Sequence, residues 1–192
     1  MNRRRFCKMA AAGITLTASR KPSLAAALLR KVVPRISAVI FDERYADARE
    51  FAAALERRGA IAHAIGFTAA WHHEFATLLA DRRGMVAGMS TDADFFVAKS
   101  LLYDSDLCVI FEAIHDARSS SRVTHLMRMR GEARHLDASI FEGDLQPGRL
   151  AAAMACSDFN TRHRWTEARA EGPRNQDHPG YLTSWLIAPR PA

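Results

Sequence analysis

Ile36-Ser37-Ala38-Val39-Ile40-Phe41 opens a series of short apolar runs. The series continues with Ile61-Ala62-His63-Ala64-Ile65, Met85-Val86-Ala87-Gly88-Met89 and Leu107-Cys108-Val109-Ile110-Phe111. The runs begin about 22 to 25 residues apart. Their apolarity is continuous rather than alternating, which is the habit of strands buried on both faces, as in parallel sheets.

The segments between the runs read as helices. In the first, Tyr45, Ala48, Ala52 and Leu55 recur at helical spacing beside Phe51, with charged Asp47, Arg49, Glu50 and Glu56 on the other side and Gly59 as the stop. In the second, Thr68 stands at the N-cap, Trp71, Phe75, Leu78 and Leu79 form the apolar stripe, and Gly84 follows Arg82 and Arg83 at the end. The third opens on Thr91-Asp92-Ala93-Asp94, a capping-box-like start with Asp in place of the preferred Glu or Gln, and buries Phe95, Ala98, Leu101 and Leu102.

Strands alternating with helices imply right-handed βαβ units. The expected fold class is therefore α/β, a three-layer sandwich on a mainly parallel sheet of four to six strands, flavodoxin-like or Rossmann-like in arrangement. The C-terminal third is less regular. Val123 to Arg130 reads as a fifth strand, Gln146-Pro147-Gly148 leads into a helix from Arg149 to Cys156, and Trp185 to Ala188 reads as a final strand. Arg118 to Arg122, with three serines, reads as an exposed loop, and Thr161 to Gly180 as a long loop or packed arm. No repeat beyond the βα alternation and no second domain is visible, so residues 28–192 are expected to form one domain.

In open α/β sheets, ligands bind beyond the carboxyl ends of the strands, where strand order reverses. Those ends bring Asp42-Glu43-Arg44 after the first run, Gly66-Phe67-Thr68 with Trp71-His72-His73 after the second, Gly88-Met89-Ser90-Thr91 after the third, and Glu112 with His115-Asp116 after the fourth. Arg44, Thr68, Gly88, Ser90, Thr91 and Glu112 are candidate ligand-binding residues. Backbone amides from Gly88 to Thr91 at a helix start suit an anion. Asp42, Glu43 and His115 are candidate acid/base residues, provided that a pocket shifts their protonation. The same residues have plainer roles to fill: Asp42 and Thr91 as helix caps, Gly88 in close packing, Arg44 as a partner of Asp47.

Named catalytic patterns fail. Arg44 stands where the haloacid dehalogenase pattern needs a second Asp, and G-x-G-x-x-G, the Walker loop and G-x-S-x-G are absent. His72-His73-Glu74 are adjacent rather than at i, i+4, H-E-x-x-H is absent, and no metal ligand set is assigned. No motif identifies a cofactor, and whether one is bound is left open.

The composition, 48% apolar and 25% charged over 192 residues, fits a globular chain with one sizeable core. The net charge of +6 invites a nucleic-acid reading. It is confined to the first 27 residues, which hold Arg3, Arg4, Arg5, Lys8, Arg20 and Lys21 and no acidic residue; the remainder carries equal numbers of basic and acidic residues. With the charges interspersed, no basic stripe is left for phosphates, and no nucleic-acid partner is expected.

Asn2-Arg3-Arg4-Arg5-Phe6-Cys7-Lys8 resembles the twin-arginine export signal, with Arg3, Arg4, Phe6 and Lys8 at its characteristic positions and mild departures at Asn2 and Cys7. A modestly apolar stretch from Met9 to Ser19 follows, too short to span a bilayer, and Leu24-Ala25-Ala26-Ala27 offers small residues for cleavage after Ala27. The resemblance implies a signal peptide over residues 1–27, the twin-arginine translocon as a partner during export, folded delivery to the periplasm, and no stable membrane anchor after cleavage. Cys108 and Cys156 then remain, and one disulfide between them is left open.

Three readings of function follow. The favoured one is a non-enzymatic periplasmic protein that binds a small anionic ligand or a partner protein at the strand ends, with Trp165 and Trp185 expected to be exposed in irregular segments. The second is a small periplasmic hydrolase, lyase or isomerase using Asp42, Glu43 and His115. The third is an accessory subunit co-exported with a redox enzyme.

Overall fold

A computed structural model describes residues 35–65, 70–80, 84–118, 121–130, 146–157 and 164–190; for residues 70–72 it describes the backbone only. The described residues belong to one compact unit, Pro34–Ala192. The signal-peptide residues Arg3, Arg4, Phe6 and Lys8, the cleavage point after Ala27, and Thr68 lie outside the described residues.

The chain runs β1 (Ile36–Phe41), α1 (Ala46–Glu56), β2 (Ile61–Ala64), α2 (Ala70–Ala80), β3 (Met85–Ser90), α3 (Asp92–Ser100), β4 (Leu107–Asp116), β5 (Arg122–Arg130), α4 (Pro147–Ala155), β6 (Trp165–Pro173) and β7 (Tyr181–Pro189). The first four apolar runs are strands within a residue of their expected starts, and β4 extends five residues further, to Asp116. Helix α1 ends where Gly59 takes a φ of 91°, a left-handed conformation that glycine adopts without steric cost, and Gly59 N–H donates to the Glu56 carbonyl at 2.7 Å. Thr91 caps α3 as expected, accepting from the Asp94 N–H.

The fold is α/β, but among the described residues the sheet has seven strands in the order β2-β1-β3-β7-β4-β5-β6, more than the four to six expected, and it is mixed. β2, β1 and β3 pair in parallel; every remaining pair is antiparallel. The last strand, β7, is inserted between β3 and β4 and is buried along most of its length. Trp185 is 2% exposed in this central strand, which corrects its expected exposure. The polar pair Thr183-Ser184 interrupts the apolar run there and hides the strand from a periodicity reading.

The expected loop from Thr161 to Gly180 contains β6, the outer strand next to β5. Its outward positions are charged (Glu167, Arg169, Glu171), and the alternating positions carry the small residues Thr166, Ala168, Ala170 and Gly172, so the strand period is present without bulk. Charged side chains on an open edge also discourage strand addition.

Side chains from the two sheet faces form two cores. On one face, Val39, Ala87, Met89, Phe111 and Leu186 pack under α1 and α4, through Phe51, Leu55, Leu150 and Met154. On the other, Ala38, Ile40, Val86, Trp185 and Ile187 pack under α2 and α3, through Phe75, Leu79, Phe95 and Ala98. Two expectations about helix faces change. Asp47, expected on the charged side of α1, is buried, and Leu101, expected inside, is 38% exposed in the turn after α3. Cys108 and Cys156 are free thiols. No helix among the described residues is long and apolar enough to cross a membrane.

Candidate functional site

The parallel strands end beside one another, and the residues there divide between the two faces. Asp42 is the first residue beyond β1; its N–H donates to the Met89 carbonyl at 3.1 Å, prolonging the ladder, and its carboxylate is 1% exposed. That carboxylate takes the Arg44 backbone N–H at 3.1 Å, Nε at 2.9 Å and Nη2 at 2.6 Å. The bond to Asp42 raises the Arg44 pKa further above its ordinary value. Arg44 thus pairs with Asp42 rather than Asp47, and lies 5.1 Å over the Tyr45 ring.

Ser90 ends β3 fully buried, its hydroxyl 3.3 Å from the Thr91 carbonyl. Thr91 donates to Asp94 Oδ2 at 2.6 Å while accepting the Asp94 N–H. With Asp92 and Asp94 in the first turn of α3, the positive end of this helix is answered by the chain's own carboxylates.

Beneath the start of α3 lies β7. Thr183 stands opposite Ser90 on β3 and Ile114 on β4, while Trp185 stands opposite Gly88 and Glu112. Both point to the α2/α3 side, as alternation from Ile187 requires. The Trp185 indole is stacked on Phe95 (centroids 5.8 Å, 12° between planes) and meets Phe75 edge to face (5.8 Å, 77°). A Cβ at Gly88 would fall within that indole, so Gly88 serves this close approach. Thr183 Oγ1 and Trp185 Nε1 are buried and make no hydrogen bond among the described residues, in side chains only 2% exposed. Each such orphan costs about 1 to 3 kcal/mol.

The opposite face carries a second polar cluster. His115 on β4 and His125 on β5 are direct cross-strand partners, both fully buried, with Nδ1 atoms 2.8 Å apart; His115 Nε2 is 2.8 Å from Ser184 Oγ on β7. Burial, then the neighbouring His125 and His178, push His115 well below the ordinary histidine pKa. His178 accepts the Gly180 N–H through Nδ1 at 3.1 Å, and burial lowers its pKa to about 4. Asp47 accepts from Asn175 Nδ2 at 2.6 Å, and burial raises its pKa to about 6.

The structure does not bring the acid/base candidates together. Asp42 follows Ile40 onto the α2/α3 face, His115 follows Phe111 and Ala113 onto the other, and β3 and β7 separate their strands by three steps, roughly 14 Å. Glu43 is exposed in the turn before α1. Glu112 is bound to Arg128 at 3.0 Å, and His73 is exposed on α2. Asp116 is clipped by Arg118 (Nη2 to Oδ2, 2.7 Å), whose hydrogen bonds hold its pKa near 2.

What does gather at the carboxyl ends of β1 and β3 is Asp42, Arg44, Ser90, Thr91 and Gly88, joined by Thr183 and Trp185 from a strand that the sequence reading began too late. A period-two count backward from Ile187 would have placed Trp185 and Thr183 on one face. Likewise, the buried alternation Val123, His125, Met127, Met129 carries the signal for His125. Among the described residues no three metal-ligating side chains converge. A cleft of about 220 Å³ lined by Leu79, Leu101, Asp104, Asp106 and Leu107 opens at the other end of β4, away from these residues. Comparison of the chain with protein-family models, curated proteins and solved structures returns no match.

Proposed function

We propose that the protein is exported through the twin-arginine route, loses residues 1–27, and acts in the periplasm as a non-enzymatic α/β protein that binds a small ligand at the carboxyl ends of β1 and β3. The observation that carries this reading is the buried pair Thr183 Oγ1 and Trp185 Nε1, donors without a hydrogen-bond partner among the described residues, beside Ser90 and under the first turn of α3. An indole N–H can only donate, so the ligand group that satisfies it is an acceptor. A neutral carbonyl or hydroxyl suits the place best: Asp92 and Asp94 already occupy the α3 terminus where an anion would sit, and Arg44 is neutralised by Asp42.

The test is native mass spectrometry of the protein taken from the periplasm of its own bacterium, beside denaturing spectra of the same sample. The expected result is a chain beginning at Leu28 with a non-covalent adduct that is lost in the Thr183→Val variant. A chain retaining Met1 overturns the export reading. Absence of an adduct, or one that Thr183→Val retains, overturns the binding site.

A further inference from the structure

The outer face of α3 supports an inference that does not depend on the ligand. Ala93, Phe96, Ser100 and Tyr103 recur at intervals of three, four and three residues, the spacing that sets side chains in one seam along a helix and the turn that continues it. The seam points to solvent: Phe96 is 67% exposed and Tyr103 88%, while Phe95, Ala98 and Leu102 take the buried side. Two aromatic rings left in water on one seam mark an interaction surface.

Leu101 lies on the flank of α3 that lines the cleft with Leu79 of α2. Asp92, Phe96 and Lys99 fall within about 60° of one another on the opposite flank, so they face away from α2 and towards β4. In keeping with this, burial and then the charge of Asp92 raise the Tyr181 pKa, and Tyr181 stands opposite Asp116 on β4. Beyond β4, β5 turns Leu126, 43% exposed, to the same side, opposite Ile114. No helix among the described residues lies over that part of the sheet, so among them a second helix has room beside α3.

The charges bordering the seam choose its occupant. Asp92 lies four residues before Phe96 and Lys99 three residues after it, on the same side of the seam. A second α3 laid antiparallel, with the two Phe96 side chains beside the axis, sets Lys99 of each copy against Asp92 of the other. The Lys99 ammonium, 4.3 Å over the Phe95 ring, reaches that position on its flexible stem. We propose that the protein forms a two-fold dimer in which the α3 helices pack antiparallel, Phe96 of each against Ala93 of the other, with reciprocal Lys99–Asp92 ion pairs and Tyr103 extending the contact past the helix end. The nine residues of α3 span only about 13 Å, so even with the neighbouring β4–β5 row the interface is small and the dimer weak, with a Kd on the order of 10 to 100 µM.

Sedimentation velocity of the purified protein from about 1 to about 300 µM tests the dimer, with a rise from monomer to dimer expected across that range. Phe96→Glu, Lys99→Asp and Asp92→Lys are each expected to weaken association at least about tenfold with an unchanged circular dichroism spectrum. An equimolar mixture of the Lys99→Asp and Asp92→Lys proteins is expected to recover it, because unlike charges then meet at both ends of the antiparallel pair. A dimer that Phe96→Glu leaves intact, or a mixture that does not recover, overturns the proposal. A monomer at every concentration also overturns it; radical labelling of Phe96 and Tyr103 then shows whether another part of the chain covers them or the face stays open to a different partner. If Phe96→Glu does not fold, the two charge variants and their mixture decide.

Discussion

Trp185 lies across Gly88 in the β3–β7 register, its indole filling the volume that any side chain at position 88 would need. The two residues are therefore one packing unit: the absence of a Cβ on β3 lets the largest side chain of β7 lie flat between Phe75 and Phe95. Gly88→Ala is expected to destabilise the fold by about 2 to 3 kcal/mol through overpacking, visible as a lower midpoint in urea unfolding. Combining it with Trp185→Leu should recover part of that loss, since the two sites share one volume. Independent, additive effects would show that the clash is relieved elsewhere.

Thr183→Val removes a buried hydroxyl that has no partner among the described residues and keeps the shape of the side chain. The variant is expected to be more stable than the parent by about 1 kcal/mol in the unliganded protein. A residue kept at the expense of stability fits a site that needs its donor, the trade commonly met at binding positions. Loss of stability on this substitution would mean that the hydroxyl is already satisfied.

Asp47 and His178 act on acid stability in opposite senses. Asp47 holds its proton up to about pH 6 in the folded chain, against an ordinary value of 3.8, so its contribution to stability grows as pH falls from 6 towards 4. His178 titrates near 4 when folded and 6.5 when unfolded, so its contribution is lost over the same interval as pH falls. Asp47→Asn is expected to be more stable than the parent at pH 7 by about 2 kcal/mol, the full shift discounted for solvent screening, with the difference vanishing towards pH 4. Thermal midpoints of both proteins across that range check the sign. A difference that widened in acid would contradict the burial argument.

Helix α1 is capped from a distance. Its N-cap residue Tyr45 offers no side-chain bond, and the Asp177 carboxylate, 131 residues along the chain, accepts the Ala46 N–H instead. Asp177→Ala is expected to cost about 1 kcal/mol, and Asp177→Asn less, as for a local cap. Denaturation midpoints together with amide exchange in the first turn of α1 measure it.

The first half of the molecule is written in local patterns: four apolar runs with helices between them, their common direction, the Thr91 cap and the stop at Gly59. Each of these depends on residues within one or two turns of each other, or on the right-handed connection that a βαβ unit imposes. These patterns leave the candidate site half assembled. Asp42, Arg44, Ser90 and Thr91 stand at strand ends in the local pattern, but nothing local places Asp42 and His115 on opposite faces.

The place of β7 follows from long-range pairing alone. Its insertion between β3 and β4 makes the sheet mixed, buries Trp185 instead of exposing it, and carries Thr183 to Ser90 on one face and Ser184 to His115 on the other. Long-range pairing also brings His125 to His115 and makes β6 a strand. Strand pairing joins residues far apart in the chain through backbone groups that every residue possesses, so its partners leave little trace in the local pattern of side chains.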